Sequence, residues 1–275
     1  MVGMPDTTRW QAFIATARLS DEAIDLARAS LAIATLEYLD LDPQRELGLL
    51  DSLASVVAKR LGQNRDPLAA ANGLSEYLFD EVGFRGNRED YYDARNSYLN
   101  DVLRRRLGIP ITLSLVYIEV AKRVGAPFVG IGMPGHFLVR HREVADLFID
   151  PFHGGILLSK DECAARLRQV AGDTLTWSDA HLSPVSNREF LARMVRNLKA
   201  SYARVKDLER ALRMIEWLIA FDPAIAAELR DRGLVQYHLG RRDDALRDLR
   251  AYLDKDPDAA DAADVRRLVT LLDGK

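Results

Sequence analysis

Between Pro110 and Val124 the chain has a stretch whose apolar residues leave it little choice of environment. Leu113, Val116, Tyr117, Val120, Ala121 and Val124 recur at helical spacing and form a stripe too wide for a surface helix, so the segment is expected to run through the middle of a domain. Pro110 suits the first turn, where its missing N–H does no harm, and Gly125 ends the helix. The residues that follow are of a different kind. Phe128 to Met133, Phe137 to Arg140 and Asp146 to Ile149 are short runs rich in β-branched or aromatic residues and separated by turn residues, which predicts adjacent antiparallel strands. A buried helix feeding a small antiparallel sheet is an α+β arrangement.

Helices are expected on either side of this core. From Trp10 to Leu61 the apolar spacing is helical throughout, and Asp42-Pro43 and Asp66-Pro67 each pair an N-cap acceptor with a proline at the first position. Residues 83 to 92 break the periodicity and read as a loop, with Tyr91 and Tyr92 placed either to line a groove or to pack on the nearest helix. Asn96 or Ser97 is expected to cap the helix that ends at Gly108. Beyond the sheet, Gly154-Gly155 turns the chain, and Ser159-Lys-Asp-Glu162 has capping-box form at the head of a helix carrying Cys163. A second box, Ser186-Asn-Arg-Glu189, opens an all-helical region in which Ala211, Leu212, Asp222 and Pro223 recur thirty-four residues later as Ala245, Leu246, Asp256 and Pro257. That is the period of the tetratricopeptide hairpin. Two domains follow from this, residues 1–185 and 186–275.

Charge and composition narrow the functional classes. The net charge is −3 with acids and bases interspersed, so nothing marks a nucleic-acid surface, and Arg104-Arg105-Arg106 reads as the cationic end of a helix. No apolar run is long enough to span a membrane, and the start lacks the layout of a secretory signal, so a cytoplasmic protein is expected. Cys163 is the only cysteine, which excludes an intramolecular disulfide and a cysteine-cluster zinc site.

The candidate chemistry centres on His136 and Asp150. They lie fourteen residues apart on neighbouring predicted strands, a spacing that lets a carboxylate orient an imidazole. The plainer reading, a strand-end histidine and an ordinary turn acid, stays open. A nucleophile for such a pair belongs at the head of a buried helix, where the dipole and backbone donors stabilise an anion. Here that place is Ile109 to Ser114, which holds no cysteine; Thr112 and Ser114 are the hydroxyls near it, and both suit capping or back-bonding to a carbonyl better than attack. Cys163 sits on a different element and reads as an inert thiol. Gly130-Ile-Gly-Met-Pro-Gly135 matches the string of a dinucleotide loop, but Pro134 and a strand follow it where a helix is required. Its glycines instead imply close backbone approach near the histidine. His136, His141, His153, Asp146 and Asp150 could together supply nitrogen and oxygen ligands, yet they meet no known spacing, so neither metal nor other cofactor is expected.

Asn96-Ser97-Tyr98-Leu99-Asn100, the run Gly108 to Ala121, Pro134-Gly-His-Phe-Leu-Val139 and Ile149-Asp-Pro-Phe152 resemble the bacterial SirB-type proteins. In that family a transglutaminase-like core precedes tetratricopeptide-like repeats, and no reaction is established for it. The resemblance implies that His136 and Asp150 match the superfamily's histidine and aspartate. The catalytic cysteine would fall near Pro110 or Ile111, neither of which can serve. The expectation is a non-catalytic protein in which Tyr91, Tyr92, Asn96, Ser97, Pro134 and Gly135 line a cleft that binds a peptide or protein, with residues 186–275 as a second surface. The alternative is an atypical hydrolase or acyltransferase that uses His136 and Asp150 with Thr112, Ser114 or water. A third reading makes the pair a buried structural strut, which an inaccessible His136 would favour.

Overall fold

The computed structural model describes residues 14–16, 18–35, 37–172 and 175–274; Trp10, where the first helical reading began, lies outside them. The helices before the core are α1 (Leu26–Thr35), α2 (Pro43–Leu61) and α3 (Pro67–Ser75), the last running on into a π-helical turn over Glu76–Glu81. Both Asp-Pro openings work as capped starts: Asp42 accepts from the backbone of Gln44 and Arg45, and Asp66 from Ala69. Next come β1 (Arg85–Gly86), α4 (Leu99–Arg105), β2 (Leu107–Gly108) and α5 (Pro110–Arg123).

Every residue of α5 from Pro110 to Ala121 is buried, as its wide stripe requires. Helices α1 to α4 pack around it, and β3 (Phe128–Ile131) and β4 (Leu138–His141) cover it from the other side. Tyr117, fully buried near its middle, donates its hydroxyl to the Ala71 carbonyl at 3.1 Å, which fixes α5 against α3. With β5 (Phe148–Asp150) and β6 (Ile156–Leu158), the strands form a four-stranded antiparallel meander in sequence order. The β3 margin carries a single bridge from Ile131 to Pro184, whereas β6 is the outer strand, with Ile156 and Leu157 exposed.

Three local expectations change. The fourth strand, β6, was not predicted, and β1 and β2 make a two-residue parallel ribbon inside what read as loop and helix end. Helix α4 begins after Tyr98 without a side-chain cap: Asn96 closes a 3-10 turn capped by Asp93, and Ser97 ends that turn. The same helix stops at Arg105 because Arg106 turns left-handed at φ 58°, ahead of Gly108. Arg104 is paired with Glu46 and Arg105 with Asp93, so two of the three basic residues are taken up in ion pairs.

After α6 (Lys160–Ala171), headed by the Ser159–Glu162 box, α7 (Asn187–Arg204) starts at the Ser186–Glu189 box, where each partner accepts the other's backbone N–H. The chain divides into two compact units between Met194 and Val195. The second contains the end of α7, then α8 (Leu208–Phe221), α9 (Ala226–His238), α10 (Arg242–Lys255) and α11 (Ala262–Asp273). Its thirty-four-residue repeat reaches down to the turns. Lys206 at φ 59° joins α7 to α8 as Gly240 at φ 73° joins α9 to α10. Close packing of α9 on α10 depends on Gly233, where a Cβ would stand 2.7 Å from Leu249.

Candidate functional site

The turn Met133–Gly135 delivers His136 to the start of β4. Gly135 takes φ 71°, and a Cβ there would lie 2.3 Å from Val170, so only glycine allows this approach to α6. Gly130 and Gly132 are equally constrained, by Phe137 at 2.8 Å and Val185 at 2.6 Å. These contacts account for the glycine string without a nucleotide. Arg193 locks the turn from α7, donating Nη2 to the Met133 carbonyl at 3.0 Å and the His136 carbonyl at 2.7 Å.

Asp150 ends β5 and caps the 3-10 turn Pro151–His153, accepting the His153 backbone N–H at 3.3 Å. Its Oδ2 meets His136 Nε2 at 2.9 Å, as the strand spacing had suggested, and also His153 Nδ1 at 2.8 Å. Burial by itself would raise the Asp150 carboxyl, but the hydrogen bonds and charges of the two rings outweigh it and hold the group well below the usual carboxylate range. An ionised carboxylate only accepts, so both facing ring nitrogens carry protons. For His136 the nitrogen turned away from Asp150 is Nδ1. His153 keeps Nε2, which faces Arg166 Nη1 at 3.4 Å, while Arg166 Nη2 stands 3.6 Å from Asp150 Oδ2.

The surroundings are aromatic. Phe152 sets its ring near the edges of His136 (6.2 Å) and Tyr91 (6.1 Å), with Arg88 over its face. Gly86 of β1 packs directly on it, with a Cβ position only 2.6 Å from the ring. Tyr91 and Tyr92 stack edge to face and remain 37% and 43% exposed, so they form an outer rim. The imidazole beneath is nearly closed off: His136 is 5% exposed and Asp150 fully buried.

Other residues singled out from sequence play different parts. Asn96 and Ser97 are buried and do not line a cleft: the Asn96 amide donates to the Asp90 and Tyr91 carbonyls and accepts from Asn87, so it shapes the loop that carries the tyrosines. Pro134 is half-buried and Gly135 exposed beside the histidine. The buried Thr112 hydroxyl donates to the Asn96 carbonyl at 2.7 Å and accepts the Ile109 N–H, a capping role that leaves it no bond to a histidine. Ser114 is buried inside α5, and its hydroxyl has no hydrogen-bond partner among the described residues. Cys163 packs in an apolar cluster with Ile131, Phe148 and Leu167, where burial and the nearby Asp150 and Glu162 charges push its thiol up to about 12.

Two contributors escaped the sequence reading. His153 entered it only as one of five possible ligands, although its place three residues after Asp150 suits a ring returning to a turn acid. Arg166 carried no signal, because α6 brings it back from the next element. Of the five residues weighed as shared metal ligands, the structure gathers His136, Asp150 and His153. His141 stacks instead on Phe128 and accepts the Glu143 N–H, and Asp146 is exposed.

Comparison with known proteins matches residues 45–196 to the family described as the transglutaminase-like superfamily and residues 198–270 to the tetratricopeptide repeat. A UPF0162 protein of Xylella fastidiosa is 40% identical over 243 residues, 86% of each chain. Another UPF0162 protein, from Vibrio cholerae, is 28% identical over 242 residues, covering 86% of this chain and 88% of its own. F-box only protein 21 of Mus musculus is 36% identical over 136 residues, 46% of this chain but 21% of that protein.

Proposed function

The chain belongs to the transglutaminase-like superfamily, with tetratricopeptide repeats following the core, and from that premise we propose that it is a non-catalytic, protein-binding member of the SirB type. The observation that carries this reading is the lack of a usable nucleophile among the described residues. The head of α5, where the superfamily resemblance expects a cysteine, is Pro110-Ile111; the one thiol is buried and held protonated; and Thr112 is spent on the Asn96 carbonyl. The near-closure of His136 supports a structural part for the His136–Asp150 pair, as a strut under the rim formed by Tyr91 and Tyr92. That rim is the surface offered to a peptide or protein, and the repeats offer another.

The hydrolase alternative needs a hydroxyl or water at His136 Nδ1. Neither Thr112 nor Ser114 is hydrogen-bonded to that ring. No described helix is long and apolar enough to cross a membrane. The reading is tested in two arms. Purified protein and His136→Ala are compared on ester, amide and peptide substrates, with no difference expected. Quantitative capture of partners then compares the whole chain with one ending after Arg204, which keeps α7 and its Arg193, with partners expected to be lost. Turnover that vanishes with His136, or equal capture by both chains, overturns it.

A further inference from the structure

Asp150 gathers more imidazole than orienting one histidine requires. A single oxygen, Oδ2, accepts from His136 Nε2 at 2.9 Å and His153 Nδ1 at 2.8 Å, and one ligating atom from each of the three residues lies within 4.8 Å of the others. We propose that His136, Asp150 and His153 bind one divalent transition-metal ion, of which zinc is the best match. This does not rest on the protein-binding reading above, and it departs from the expectation of no metal drawn from sequence spacing.

Two imidazoles and a carboxylate are a donor set that zinc uses where three protein ligands leave a fourth position for water or a partner's side chain. Here the backbone that presents the two rings is already fixed. Arg193 pins the backbone turn that presents His136, and Asp150 caps the same 3-10 turn that returns His153. A tetrahedral ion with bonds of about 2.1 Å holds its ligand atoms roughly 3.4 Å apart. Each ring nitrogen must therefore stand about half an ångström further from Oδ2 than it does in the hydrogen-bonded arrangement.

The protons balance without a co-reactant. When His136 Nε2 and His153 Nδ1 donate lone pairs to the ion, the proton each carried toward Asp150 is released to solvent or passes through solvent to the opposite nitrogen. For His153 that nitrogen is Nε2, which now faces an Arg166 N–H at 3.4 Å. Arg166 thus opposes the ion twice, as a cation 3.6 Å from Oδ2 and as a donor pointed at what becomes another donor. The approach is from the His153 side, where the side chain is 21% exposed.

The test uses full-length protein stripped with a chelator and titrated with zinc chloride by calorimetry, then with cobalt chloride by visible absorption. One ion per chain is expected, with micromolar or tighter affinity and the absorption bands of four-coordinate cobalt. His136→Ala and His153→Ala should each weaken binding at least as much as the tenfold to about hundredfold loss seen when outer-shell partners are removed. Arg166→Gln removes the competing charge and supplies an acceptor for His153 Nε2–H, so it should tighten binding by about tenfold. A plain hydrogen-bonded strut predicts the reverse, no binding and no gain. If either histidine variant fails to fold by circular dichroism, Arg166→Gln decides alone. No zinc bound at about 100 µM, affinity unchanged in both histidine variants, or no tightening in Arg166→Gln overturns the proposal.

Discussion

Removing the Asp150 carboxylate tests how much of the sheet's corner depends on one side chain. In Asp150→Ala two ring N–H groups lose a charged acceptor. His136, 5% exposed, cannot recover it from water, whereas His153, 21% exposed, recovers part. A hydrogen bond to a charged group contributes about 1.5–3 kcal/mol, so full loss at His136 and partial loss at His153 amount to about 3 kcal/mol. Asp150→Asn keeps an acceptor oxygen but not its charge, and neutral bonds are about half as strong, so it should lose about 1.5 kcal/mol. The assay is urea unfolding followed through Trp177, which packs on the same apolar cluster, in a background where the other tryptophans are phenylalanine. Because the folded carboxyl is depressed, the unfolded chain binds the proton first as pH falls. The contribution is therefore complete above about pH 5 and declines as pH drops through the unfolded value near 4. The gap between wild type and Asp150→Ala should narrow over that window, while the gap between Asp150→Asn and Asp150→Ala stays flat. A gap under about 0.5 kcal/mol at pH 7, or one that does not change down to pH 3.5, refutes the reasoning.

Two further outcomes follow from packing. Cys163, with its thiol pushed up to about 12, should ignore a thiol reagent such as Ellman's at pH 8 in the folded protein and react fully in urea; rapid native labelling would contradict its burial. Gly86→Ala places a methyl 2.6 Å from the Phe152 ring and 2.7 Å from the Phe152 carbonyl, which is backbone and cannot simply rotate away, so thermal unfolding should show a loss of about 1–3 kcal/mol. The same change should broaden the His136 ring resonances in proton NMR, because Phe152 borders that ring.

What could be seen from sequence was whatever depends on near neighbours along the chain. The stripe on α5, the boxes at Ser159 and Ser186 and the thirty-four-residue period are local patterns, and each has its counterpart in the structure. The approach of His136 to Asp150 was legible because a strand pair converts spacing into contact. The elements that were missed have no pattern to read. Strand β6 is three residues long with two of them exposed, and β1–β2 is a two-residue pairing too short to show an alternation. Asn96 looked like a cap or a groove residue because its type suits both, and only the fold shows its amide turned inward onto the Asp90 and Tyr91 carbonyls. Arg166 reaches Asp150 by way of an intervening strand and helix, a distance no periodicity encodes.

The meander leaves one flank unguarded. Along Ile156–Leu158 the outward backbone groups have no strand beside them among the described residues, and two greasy side chains stand in water there. Such a flank invites a stranger's chain to zip on, and the usual defences are charge, proline or brevity. This protein relies on the last: Ser159 turns the chain into a helix after three residues, which leaves too little rail for a neighbour to grip.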